Sequence, residues 1–200
     1  MNAVRERKRA PLHSMTPQFE RIIAAIAFVI NEGRINEQTI TQYDLVKSLF
    51  IADRAHLNKY GRPITFDNYA AVKDGPVPCT SYNFLKEDQQ TLRRLDRMLP
   101  WLRNAAPNIS PKAFSFTISE GDVDTSALSE SDMDELRAAL TVVKSLGSNQ
   151  VRRLTHEDPA YIEAWKDDGE AQSYHMSYSL LFDVPNEEMA SDLAFLSEHL

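Results

Sequence analysis

Glycine and proline interrupt the chain twice between residues 60 and 78, and this pair of breaks limits the possible folds more than any other feature. At Tyr60-Gly61-Arg62-Pro63, glycine accepts a left-handed backbone, while proline lacks an N–H and clashes with a preceding turn, so no helix runs through. At Asp74-Gly75-Pro76-Val77-Pro78 a second rigid turn, read as a strand-to-helix connection, closes the segment. Between the breaks the helical spacing of apolar residues disappears, and Tyr69, Ala70, Ala71 and Val72 fit a short strand. Amphipathic helical sequence lies on both sides. The chain must therefore combine helices with a small sheet.

The flanking helices are marked by caps and stripes. Thr16-Pro17 predicts an N-cap with proline at the first helical position, followed by Phe19, Ile22, Ile23, Ile26, Ala27 and Ile30 on one face and a stop at Gly33. Thr41 with Asp44 opens a second helix, which buries Leu45, Val46, Leu49, Phe50 and Leu57. Pro78 seeds a short helix through Tyr82 and Leu85, and another from about Asp88 carries Leu92, Leu95 and Leu99 up to Pro100. Phe114, Phe116 and Ile118 alternate as in a strand with one buried face. Ser129 and Asp132 cap a helix that runs to Gly147, and a shorter one covers Asn149 to Leu154. Asp158-Pro159 starts a helix with Tyr161 and Trp165 one turn apart, and Asp183 and Pro185 open a last one. Tyr174 to Phe182 alternates like a strand, diluted by serine and methionine. The expected fold is α+β: a mostly α-helical single domain, residues 15–200, with a small two- or three-stranded antiparallel sheet. A flexible basic tail, residues 1–14, would precede it, and Met15 is an alternative start to Met1.

Charge and composition narrow the function classes. A net charge of -7 disfavours non-specific nucleic-acid binding, which needs many phosphate-neutralising cations, and suits a basic partner. The lone cysteine, Cys79, excludes an intramolecular disulfide and fits a reducing cytoplasm. The longest apolar run, Ile22 to Ile30, is too short to span a bilayer, and its flanks do not resemble a signal peptide. Cys79, His56, His156 and His175 lack metal-ligand spacing, and no glycine-rich loop offers a phosphate or cofactor site. Asp53 and His56 share a helix face, either as a base and its orienter or, far more commonly, as a plain polar pair. Cys79 stands at a helix start, where the dipole would lower its thiol pKa, although packing is the usual fate of a single cysteine. Tyr161 and Trp165 suit a recognition patch or, more often, the core. Nothing here constitutes an active site, so the expectation is a protein that is not an enzyme.

Specific residues then carry a family resemblance. Lys47, Leu49, Phe50, Ala52 and Asp53, the Gly61-Arg62-Pro63-Ile64-Thr65 turn, Tyr69, Gly75-Pro76-Val77-Pro78, Tyr82 and Leu85 resemble the signature of the Panacea domain of SocA-like antitoxins and phage-associated proteins. Downstream, Leu154-Thr155-His156 and Asp158-Pro159-Ala160 resemble a second element of that family. Ser48, Phe50, Thr155 and Tyr161 depart from the residues usual there. The resemblance implies an antitoxin that neutralises a toxin encoded nearby by direct protein contact, without catalysis, metal or cofactor. Alternatives are an adaptor that delivers the toxin to a ClpXP-type protease, or a DNA-binding regulator of its own operon. The motif residues Lys47, Asp53, Gly61, Arg62, Pro63, Tyr69, Gly75, Pro76, Tyr82, His156 and Pro159 are expected to be mainly scaffold. Toxin specificity is expected in Lys86 to Ala113 and the C-terminal helix.

Overall fold

The computed structural model describes residues 12–95, 97–119, 121, 123–166 and 170–200; the basic cluster Arg5 to Arg9 lies outside them. Helix α1 spans Phe19–Ile35 and begins after Gln18, not at Thr16-Pro17. Thr16 is engaged elsewhere, its N–H donating to Ser197 Oγ at 2.8 Å, while the N–H of Met15 donates to Asn68 Oδ1 at 2.8 Å. Nor does α1 stop at Gly33. That residue is helical and buried, and a Cβ there would lie 2.1 Å from Ile40 Cγ1, so its glycine serves close packing and not a cap.

Strand β1 (Ile40–Thr41) leads into α2 (Gln42–Tyr60), whose capping box has Thr41 Oγ1 accepting from Asp44 N at 3.2 Å and Asp44 Oδ2 accepting from Thr41 N at 2.8 Å. Gly61, at φ +79°, ends the helix with its N–H on Leu57 O. The second break folds differently from a simple turn. Strand β2 (Tyr69–Val72) pairs antiparallel with β3 (Gly75–Pro78), so the Gly-Pro-Val-Pro run is itself a strand and only Lys73-Asp74 turns. Its prolines are tolerated because β3 is an edge strand, with β6 (Tyr174–His175) on the opposite side of β2. Helix α3 is Cys79–Leu85.

The helix expected through Leu99 is a single turn, α4 (Gln89–Leu92); Leu95 and Leu99 reach the core on irregular chain. Beyond it, β4 (Trp101–Ala105) and β5 (Phe114–Ile118) form a second antiparallel sheet in the order β1-β5-β4. Helix α5 (Glu130–His156) has its own capping box at Ser129 and Asp132, and breaks at Gly147 (φ +72°, ψ 167°) into two rods. Asp158 caps α6 (Pro159–Ala164), a 3-10 turn covers Tyr178–Leu181, and α7 (Glu187–Ser197) is capped by Asn186, not by Asp183. No helix among the described residues is long and apolar enough to cross a membrane.

Helix α2 lies between two hydrophobic clusters. Leu45, Leu49 and Ala52 join α1, the β1-β5-β4 sheet and the first rod of α5, while Phe50 and Leu57 pack with Tyr69, Tyr161, Tyr178 and Leu193. Burying side chains of this size contributes roughly 1.5–3 kcal/mol each. A helix covered on two sides leaves few directions for a polar residue, and so fixes where Lys47, Asp53 and His56 project.

Candidate functional site

Three buried carboxylates organise the motif. Asp53 on α2 reaches across the first break: Oδ1 accepts from Ile64 N (2.8 Å) and Thr65 N (3.1 Å), and Oδ2 from the Tyr69 hydroxyl (2.6 Å) and the Thr65 hydroxyl. Burial pushes its carboxyl pKa up against the pull of these bonds. Asp67 accepts from Thr80 N (2.9 Å), Ser81 N (2.7 Å) and Ser81 Oγ (2.7 Å), supplying for α3 the side-chain cap that Pro78 lacks. Asp132 on α5 meets Arg21 at 2.7 Å, Arg62 at 2.9 Å and His56 at 3.1 Å. Burial alone would raise its pKa, but Arg62, the Ser129 N–H and Arg21 together hold it below the usual carboxylate range. His56 also faces Arg62 O at 2.8 Å and Ser131 Oγ at 3.1 Å. Asp53 and His56 therefore have separate partners and do not form a base and its orienter.

Gly75 is where the two sequence elements meet. Its φ is +100°, and a Cβ on it would fall 2.6 Å from Lys47 Nζ, 2.9 Å from Thr155 Oγ1 and 3.2 Å from His156 Cδ2. Lys47 is buried, and its Nζ donates to Pro76 O at 3.1 Å. The His156 ring lies 4.4 Å from that of Tyr161, whose hydroxyl donates to Val72 O at 2.9 Å, and Trp165 stacks on Tyr161 at 6.2 Å. The aromatic pair thus braces the hairpin, with Pro159 starting its helix. His156 Nε2 is buried with no hydrogen-bond partner among the described residues, and burial, then Arg152 and Lys47, lower its pKa.

Beside this junction opens a groove of about 850 Å³ between the start of α2, the β2-β3 hairpin, α3 and the chain leading into β5. Lys47, Tyr82 and Lys86 line it, and residues 109–114 form its far wall. The Lys47 amine is lowered to about 7 by burial, a shift that Asp74 partly opposes. Cys79 sits at the margin, and its thiol is pushed up to about 12, first by burial and then by Asp67. This reverses the sequence expectation, because a seven-residue helix offers too weak a dipole to offset desolvation and a neighbouring carboxylate. Among the described residues, no cluster of histidine, cysteine and carboxylate side chains could hold a metal ion.

Sequence reasoning placed Lys47 in the scaffold and did not find the groove. The available signal was a lysine inside the run Leu45-Val46-Lys47-Ser48-Leu49-Phe50, where helical spacing leaves it little access to solvent. Ile109, Ser110, Lys112 and Ala113 of the far wall fall in the Lys86 to Ala113 stretch where specificity is expected, but nothing in the sequence places them against Lys47, since strand pairing at a distance brings them there. The family model described as antitoxin SocA-like, Panacea domain, matches residues 45–165, which include most of α2, the hairpin, α3, both rods of α5 and α6. No curated protein and no solved structure matches the chain.

Proposed function

Since the chain belongs to the SocA-like Panacea antitoxin family, we propose that it neutralises a toxin protein encoded nearby by binding it directly. The family match over residues 45–165 carries this reading. The matched residues support a binding role in physical terms as well. Asp53, Asp67 and His56 are engaged in bonds that hold helices and hairpin together, which leaves them poorly placed for proton transfer. The reading therefore assigns no catalytic step and needs no cofactor. It places the protein in the cytoplasm, where an unpaired Cys79 stays reduced.

The test is genetic first. Each neighbouring reading frame is induced alone and together with this chain. Growth arrest by one neighbour, relieved on co-expression, is the expected result. Co-purification of a stable complex, with rescue retained in cells lacking the ClpXP protease, supports direct neutralisation. Rescue that disappears in those cells assigns the protein to toxin delivery instead, and no toxicity from any neighbour removes the reading.

A further inference from the structure

We infer that the groove above Lys47 receives a short, carboxylate-bearing segment of the partner protein, with the carboxylate meeting the Lys47 ammonium and apolar neighbours lying on Val77 and Phe114. This rests on the antitoxin reading and deepens it by naming the site and the chemistry of its occupant.

Lys47 is a buried cation without a close counter-ion among the described residues. Lys47 is 2% exposed, yet its Nζ has one hydrogen bond, to Pro76 O, and among the described residues no carboxylate lies within 4.0 Å of it. The Tyr43 ring lies 5.7 Å away, and Asp74 and Arg152 act on the amine with opposite sign from beyond ion-pair distance. A buried ammonium is costly unless an anion accompanies it. Among the described residues the fold supplies none at ion-pair distance, Asp74 acting only from farther away, although it satisfies Asp53 and Asp67 with several bonds each. Because Lys47 lines the groove, an anion entering there would find donors of that ammonium still available.

The charge of the groove is opposite in sign to that of the whole chain. Three lysines, Lys47, Lys86 and Lys112, line the groove against one carboxylate, Asp74, in a chain of net charge -7. Asp74 is already paired with Arg152 at 3.5 Å. Lys86 and Lys112 are exposed, and the Lys86 ammonium sits 4.5 Å from the Tyr82 ring centre. The local reversal of sign selects an acidic occupant and would steer its approach. A nucleic-acid backbone would bring many phosphates against a chain of net charge -7, whereas a short acidic segment brings one or two charges. The volume and the apolar wall fit several residues of peptide better than a bare anion.

The groups facing Lys47 are Tyr43 on α2, Asp74 at the hairpin turn, and Arg152 and His156 on α5. With its amine at about 7 in the free protein, Lys47 must take up a proton to bind a carboxylate at higher pH. Affinity should therefore fall by up to about tenfold per pH unit above neutrality.

The experiment uses the full chain and the toxin that it rescues. Fluorescein-labelled 15-residue peptides tiled across that toxin are titrated by anisotropy from pH 6.5 to 8.5, each binder also as its Asp→Asn, Glu→Gln counterpart. The variants are Lys47→Met and the exposed pair K86E/K112E, each checked by its melting curve. The proposal requires one acidic tile to bind, and a loss of at least about tenfold with the amide peptide, with Lys47→Met and with K86E/K112E. The pH slope should vanish in Lys47→Met. Binding indifferent to the amide change or to K86E/K112E would overturn it, even if Lys47→Met fails to fold. Loss of self-association or of duplex-oligonucleotide binding in K86E/K112E, with toxin binding intact, overturns it in favour of those occupants. Toxin rescue that survives every variant sinks this inference alone; no rescue by the wild type sinks it together with the antitoxin reading.

Discussion

Replacing Lys47 with methionine should stabilise the isolated protein at neutral pH, and the gain should shrink as pH rises. The amine sits at about 7 in the fold against an ordinary value of 10.5, so the unfolded chain holds the proton more tightly. Below about pH 7 both states are protonated and the penalty on the fold is complete. Between there and 10.5 only the unfolded chain keeps the proton, and stability climbs with pH. At about 1.4 kcal/mol per unit, the full climb is at most about 5 kcal/mol, and the part between pH 7 and 9 about 2 kcal/mol.

Methionine has a similar length, carries no charge to desolvate, and gives up one hydrogen bond, to Pro76 O, worth about 1 kcal/mol. Lys47→Met should thus exceed the wild type by roughly 3 kcal/mol at pH 7 and by roughly 1 kcal/mol at pH 9. Urea unfolding followed by circular dichroism at four pH values measures both numbers, and the difference between the two proteins cancels every other titrating group. A variant less stable than the wild type at pH 7, or a gap that does not change with pH, would show that the fold already compensates the ammonium. The argument that an anion is wanted at this position would then lose its foundation.

Other perturbations test the scaffold. Asp53→Ala should cost about 3–5 kcal/mol, leaving two backbone N–H groups and two hydroxyls unpaired, while Asp53→Asn should cost less because the hydroxyls can turn to accept. Chemical unfolding of the pair gives the order. Gly33→Ala should lower the melting temperature by several degrees, since its Cβ meets Ile40 at 2.1 Å, whereas a surface alanine elsewhere on α1 should not; calorimetry of both separates packing from helix propensity. Cys79, with its thiol pushed up to about 12 against 9.0, should react with a disulfide reagent at pH 8 about a thousandfold more slowly than in urea; equal rates would contradict its burial.

How much of this the sequence could show depends on the distance over which each signal acts. The caps at Thr41, Ser129 and Asp158 are legible because donor and acceptor lie within three residues of each other. Gly33 misleads because a glycine that ends a helix and a glycine that admits Ile40 look the same in one dimension. The spacing of Leu92, Leu95 and Leu99 satisfies a helical stripe, yet any path that crosses the same core satisfies it too. Strand β4 carries no alternation, with Trp101 buried next to an exposed Leu102, Asn104 and Ala105, so only its pairing with β5 defines it.

Asp53, His56 and Lys47 all appear in the sequence as polar residues on one helix, and their types alone do not separate structural from functional roles. What separates them is whether the fold completes their bonding. Asp53 gains four donors and His56 gains partners at Arg62 O and at Ser131 on α5, so each is bound into the architecture. Lys47 and His156 Nε2 are taken out of water near the same glycine, and among the described residues one has a single hydrogen bond and the other none. Retaining a stabilising carboxylate needs no further reason, but a buried ammonium that weakens its own fold requires one from outside it. The groove opens on the residue that the fold leaves unsatisfied, and for that reason Lys47 is a better candidate for partner contact than its better-bonded neighbours on the same helix.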